Sequence, residues 1–205
     1  MDLSADDFLT AAEVTRGLGH LAFLQGDATL LPCPDRTFDA VLAHSVLESG
    51  ADPVALLTEA WRVLRPDGWL GVASVEYGGL ILAGPEAGLL RRSNGIREQL
   101  WRRSGADPFL GRGLRRLVAE AGFVDVEATT RAFSHGTPAR VRAFARGRAS
   151  ECYDAEYAAE VVDTGLSTEE EMAEMGAAWS RWGESSGAYA AFTWCRVVGR
   201  RPLSS

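Results

Sequence analysis

The stretch Gly26-Asp27-Ala28-Thr29-Leu30-Leu31-Pro32-Cys33-Pro34-Asp35-Arg36-Thr37-Phe38-Asp39 separates two apolar runs, Leu21–Leu24 and Phe38–Ala43. An apolar run that ends in Gly-Asp reads as a strand leaving a sheet at its carboxyl end, the edge where open α/β sheets bind ligands. Asp27 would present an acceptor there, and the Ala28 amide beside it a donor. That pair matches the amino and ring-nitrogen edge of an adenine. It equally suits an Asx-turn, in which Asp27 binds backbone two residues on.

Downstream, apolar runs alternate with helix signals, as in a parallel sheet covered by helices. Phe38–Ala43 reads as a buried strand ending at His44-Ser45. Asp52-Pro53 is a helix start, an N-cap followed by proline in the first turn. Leu57, Ala60, Trp61 and Leu64 share one face of that helix, and Pro66-Asp67-Gly68 stops it. Trp69–Val75 is the next strand, with Glu76-Tyr77-Gly78-Gly79 at its carboxyl end. Phe123–Ala128 alternates as a half-exposed edge strand does, and Tyr189–Val198 reads as the last strand, antiparallel to the sheet. Ahead of these, Phe8, Leu9, Ala12 and Glu13 suggest an amphipathic helix over Ala5–Arg16.

The motifs Gly26-Asp27-Ala28, Leu31-Pro32, Pro34-Asp35, Phe38-Asp39, Glu59 and Arg62-Val63-Leu64-Arg65-Pro66-Asp67-Gly68 occur in one order and spacing. In this the chain resembles the class I S-adenosylmethionine-dependent methyltransferases, and within them the small-molecule enzymes related to ubiquinone and menaquinone C-methylation. The resemblance runs over about residues 2–130, with a weaker echo in the last strand. It implies an α/β, Rossmann-like, mostly parallel sheet with an antiparallel last strand. It implies S-adenosylmethionine as cofactor and a small-molecule methyl acceptor. It assigns cofactor contacts to Asp2 and Leu3 at the end of a second strand, to Asp27 and Ala28, and to His44. The family's first strand and glycine-rich turn have no counterpart in the sequence, and Gly17-Leu18-Gly19 falls before the wrong strand. Two expectations follow: an uncovered sheet edge that favours a homo-oligomer, and, as the alternative function, a truncated or non-catalytic methyltransferase-fold protein that serves as a binding partner.

Methyl transfer from a sulfonium is mostly a matter of positioning, so no catalytic side chain is forced. His44, Glu76 and His135 are the candidate bases. Tyr77 is a candidate to face the substrate, as is Trp179 from a helical cover spanning about 134–187. That cover starts at Thr137-Pro138 and again at Ser167-Thr168, where Glu170 and Glu171 stand at capping-box spacing. Its stripe of Met172, Met175, Trp179 and Trp182 suits a core equally well.

Composition limits the rest. A chain of 205 residues, 46% hydrophobic and 24% charged, suits one globular domain over 1–205. The net charge of −7 counts against nucleic acid as a partner. Cys33, Cys152 and Cys195 have no paired spacing, the pattern of a reducing, cytoplasmic setting. Glu76 and Glu86 interrupt the most apolar region, so no membrane partner is expected, and no metal-ligand spacing is present. All 21 basic residues are arginine, which excludes lysine-dependent Schiff-base and P-loop chemistry. Eight of those arginines lie in residues 91–116. Either they face an anion or they pair with the acids of residues 151–184.

Overall fold

The computed structural model describes residues 19–21, 24, 26–50 and 52–203. Its elements run in the order β1 (Phe38–His44), α1 (Pro53–Val63), β2 (Leu64–Ala83), α2 (Ala87–Arg103), a 3₁₀ turn (Leu110–Gly113), α3 (Leu114–Glu120), β3 (Val124–His135), α4 (Pro138–Tyr153), α5 (Ala155–Asp163), α6 (Glu169–Gly183) and β4 (Tyr189–Arg200). The four strands form one sheet in the order β1-β2-β4-β3. β1 and β2 are parallel, and β4 runs antiparallel between β2 and β3. Three strands therefore point one way and the last one opposes them, as the resemblance implies.

Local chemistry sets the helix ends. Asp52 caps α1 by accepting from the Val54 amide at 2.9 Å. Thr137 and Thr168 cap α4 and α6 in the same way. At the other end of α1, the Arg201 guanidinium lies 3.6 Å over the Trp61 ring and donates to the carbonyls of Trp61 (2.8 Å) and Leu64 (2.6 Å). It satisfies carbonyls that the helix itself leaves without partners, and so ties the end of the chain to its middle. α1 ends at Val63, three residues before Pro66, because β2 begins at Leu64.

Alternation divides the sheet into two faces. On one, Leu70, Val72 and Val197 meet Leu56, Leu57 and Ala60 of α1 and Leu114 and Val118 of α3. A second core lies under the cover, where Leu90, Ile96 and Leu100 of α2 meet Val141 and Ala145 of α4 and Met175, Trp179 and Trp182 of α6.

Two expectations need correction. β1 forms as predicted but is not buried: Leu42 is 78% exposed, since among the described residues no strand pairs with the outer edge of β1. Glu76-Tyr77-Gly78-Gly79 is not a loop beyond the strand. β2 continues to Ala83, and these residues form an irregularity between Glu76 and Ile81 in the ladder with β4. Glycine is required there, because a Cβ at Gly79 would lie 2.2 Å from Thr193 Oγ1. Of the two readings of the arginines in 91–116, pairing with the acids of 151–184 is seen at Arg92 with Glu171 and Arg97 with Glu151, and Arg103 Nη1 donates to the Thr164 carbonyl at 3.1 Å.

The predicted strand Leu21–Leu24 is described only at its ends, and Leu21 and Leu24 belong to no strand. Asp2, Leu3 and the predicted helix Ala5–Arg16 lie outside the described residues.

Candidate acceptor and cofactor site

Where the strands end, the chain turns sharply. Ser45 follows β1 with φ at +55°, a left-handed conformation uncommon outside glycine. Its amide donates to the Ala73 carbonyl at 2.9 Å, which pins the turn to β2. The residues after it part to two sides. Val46 and Leu47 face an apolar pocket of 180 Å³ whose other walls include Ala28, Val41, Ala43 and Leu57. Ser45, Glu48 and Ser49 face a larger cavity of 560 Å³. One five-residue segment is thus the partition between two hollows at the carboxyl edge of the sheet.

The larger cavity is walled by aromatic rings from five elements. Tyr77 comes from β2, Trp101 from α2, Phe133 from β3, Phe144 from α4, and Phe192 and Trp194 from β4. Tyr77 meets Trp101 edge-on at 5.3 Å and Phe192 at 6.0 Å, so the rings support one another. Burial pushes the Tyr77 phenol above its ordinary value. Two charged side chains complete the wall, Glu48 and Arg97. Glu48 is 3% exposed, and its Oε2 accepts a 2.6 Å hydrogen bond from Ser74 Oγ. No basic group forms an ion pair with it among the described residues. A buried carboxylate without a cation is costly unless it has work to do. Sequence reading passed over Glu48, because a lone Glu before Ser-Gly has no motif of its own. Its burial was the missing signal.

The predicted site residues scatter around this cavity. Tyr77 lines it. His44 does not; its ring stacks on Trp194 at 4.6 Å and faces a separate hollow with Arg131 and Arg196. His135 lies behind the wall, stacked on Phe144 at 4.4 Å, and burial holds its imidazole below the ordinary value. Glu76, adjacent to Tyr77 in a strand, points to the opposite face. There both its oxygens are taken by the Arg112 guanidinium and backbone amides, so it is a structural ion pair and not a free base. Trp179 is also corrected: it is fully buried behind Phe144, its indole N–H donating to Ser93 Oγ at 3.1 Å, and it cannot touch a ligand in the cavity.

On the other side of the partition, Asp27 forms the Asx-turn. Its Oδ1 accepts from the Thr29 amide at 2.8 Å and from Thr29 Oγ1 at 2.7 Å. Those bonds hold the carboxyl below the usual carboxylate range. They leave Oδ2 without a hydrogen bond among the described residues. The turn and the acceptor readings therefore coexist in one side chain. Ala28 lies beside it, half-buried in the wall of the apolar pocket.

The chain is similar to known proteins in sequence and fold. Residues 1–72 match the family model described as a methyltransferase domain. Demethylmenaquinone methyltransferase of Geobacillus kaustophilus is 33% identical over 124 residues, which cover 55% of this chain and 53% of that enzyme. The enzyme of the same name from Beutenbergia cavernae is 45% identical over 75 residues, covering 36% of this chain and 31% of the relative. The chain thus spans about half the length of the first of these relatives. A solved structure from Bacillus halodurans, named as a candidate methyltransferase, superposes with a TM-score of 0.57 at 19% identity, over 98% of this chain and 81% of that one.

The fold is that of the class I methyltransferases.

Within that methyltransferase fold, β1, β2 and β4 bring the partition Ser45–Ser49, the apolar pocket and the aromatic cavity together at one edge. No helix among the described residues is long and apolar enough to cross a membrane.

Proposed function

We propose that the protein transfers a methyl group from S-adenosylmethionine to a small-molecule acceptor held in the aromatic cavity. The observation that carries this reading is the partition at Ser45–Ser49, with an apolar pocket on one side and an aromatic cavity on the other. The chain's residues suit the cofactor: Asp27 Oδ2, without a hydrogen bond among the described residues, could accept from an exocyclic amine, the Ala28 amide adjoins it, and the pocket beyond is apolar and narrow. When bound, S-adenosylmethionine supplies an electrophilic methyl group on a positively charged sulfur. The aromatic faces of Tyr77 and Trp194 can hold positive charge near the cavity mouth. The walls exclude water and set the acceptor's orientation, which supplies most of the acceleration in such a transfer. Where the acceptor gives up a proton, Glu48 is the carboxylate placed to receive it, and Ser74 holds it in position.

The free cysteines at 33, 152 and 195 support a reducing, cytoplasmic setting. Calorimetric titration with S-adenosylhomocysteine tests the proposal. Binding is expected, and Asp27→Ala should weaken it by about 1.5–3 kcal/mol, the range for a charged hydrogen bond. Absence of binding, or equal affinity in the variant, would overturn the cofactor assignment.

A further inference from the structure

One guanidinium in the cavity wall is only weakly paired. Arg97 lines the cavity from α2, with its guanidinium 5.3 Å from the Trp101 ring. Among the described residues its acidic partner is Glu151 Oε2, at 3.5 Å, a long contact. That same oxygen is held more closely by Arg148, which also donates to Asn94 Oδ1 at 3.0 Å and is only 5% exposed. Two guanidiniums therefore share a single carboxylate. The Nε of each is buried with no hydrogen-bond partner, and Arg97 Nη2 makes no hydrogen bond among the described residues either. Buried donors are rarely left in this state. Here it leaves the Arg97 guanidinium only weakly paired in the wall of a cavity rich in aromatic rings.

Glu48 lines the same cavity from the turn after β1. Its carbonyl accepts from the Asp107 amide at 2.9 Å, so it packs beside the segment that follows α2, where Ser104 and Ala106 line the same cavity. Ser104 follows Arg97 by seven residues, roughly 10 Å along a helix axis. A carboxylate and a weakly paired guanidinium thus line one aromatic-walled cavity from different segments of the chain.

We infer that the acceptor is a planar aromatic molecule with an anionic group at the end remote from its methylated atom, and that Arg97 anchors the anion. Stacking on Trp101 fixes the guanidinium plane, which suits bidentate binding of a carboxylate. Glu48 repels the same anion, so the two charges dictate how the acceptor is oriented in the cavity. Arg97 is a substrate-binding residue in this scheme, and it takes no part in proton transfer. The inference rests on reading the cavity as the acceptor site.

Para-coumarate and its uncharged amide, para-coumaramide, test it, with binding to the full chain measured by calorimetry. The acid should bind about tenfold or more tightly than the amide, the scale of one charge-assisted hydrogen bond. Added salt should weaken the acid alone. Arg97→Gln should bring the acid to the amide's affinity, while Arg97→Lys retains part of the preference. Equal affinities in the unaltered protein, failure of both compounds to bind, or an undiminished preference in Arg97→Gln would each overturn the inference. Should Arg97→Gln not fold, the acid–amide pair and its salt dependence decide without it. S-adenosylhomocysteine titrated into the same samples separates the two readings. Its failure to bind beside a clear charge preference overturns methyl transfer alone, and its binding without that preference overturns the anion anchor alone.

Discussion

Ser74 Oγ donates to Glu48 Oε2 at 2.6 Å, joining the turn after β1 to the middle of β2 through two buried side chains. Glu48→Gln keeps the shape and removes the base. For an acceptor that loses a proton, kcat is expected to fall about 10²–10⁴-fold, the usual contribution of a general base. S-adenosylhomocysteine affinity should not change, because Glu48 faces away from the apolar pocket. Steady-state turnover and calorimetry on the same preparation read both effects. Unchanged turnover would leave Glu48 as a structural residue.

Trp179 and Trp182 meet edge-to-face at 5.6 Å beneath the cover, and both are fully buried. Trp179→Ala should cost about 3–5 kcal/mol of stability, as large-to-small core substitutions do, and should strand the Ser93 hydroxyl it now engages. Thermal unfolding reads the loss. The acceptor KM of the folded fraction should stay the same; a large rise in KM with an unchanged melting temperature would restore Trp179 to the binding surface.

The left-handed Ser45 sets the direction of the partition. Ser45→Gly should be neutral or stabilising by up to about 1 kcal/mol, since glycine adopts this conformation freely. Ser45→Val should destabilise by about 1–2 kcal/mol. Chemical denaturation of the pair measures the difference. Equal stabilities would mean that the turn relaxes without consequence.

Glu171 accepts from Arg92 and from Ser167 Oγ, and these bonds lower its carboxyl from 4.5 to about 2. The folded value lies below the unfolded one. The bonds therefore add stability above about pH 4.5, and that stability is lost as pH falls toward 2. Glu171→Gln should lower the melting temperature at pH 7, and the gap between variant and parent should close on acidification through this window. A gap that persists at low pH would show that packing, and not charge, holds α6 to α2.

Several features were legible in the residues themselves. Caps at Asp52, Thr137 and Thr168 follow from local hydrogen-bonding chemistry, and each is found where the sequence places it. The antiparallel last strand and the edge position of Val124 onward follow from alternation and from the motif order. Pro32-Cys33-Pro34 reads as loop and is loop. Each of these depends on neighbours within a few residues.

The site depended on contacts between distant segments. Asp27 carries a turn bond on one oxygen and, among the described residues, no hydrogen bond on the other, which spacing alone presents as alternatives. Glu76 and Tyr77 look equivalent at a strand end. Alternation sends one into an ion pair with Arg112, 36 residues away, and the other into the cavity. Trp179 looks like a lid residue until Phe144 from another helix stands between it and the cavity. Glu48 and Arg97, 49 positions apart in the chain, acquire their meaning only once they line one hollow. Helix caps and strand alternation are written in short-range chemistry, and the sequence alone determined them. Burial and the lack of a partner belong to the whole packed molecule, so the tertiary structure alone decided which charges remain free to meet a ligand.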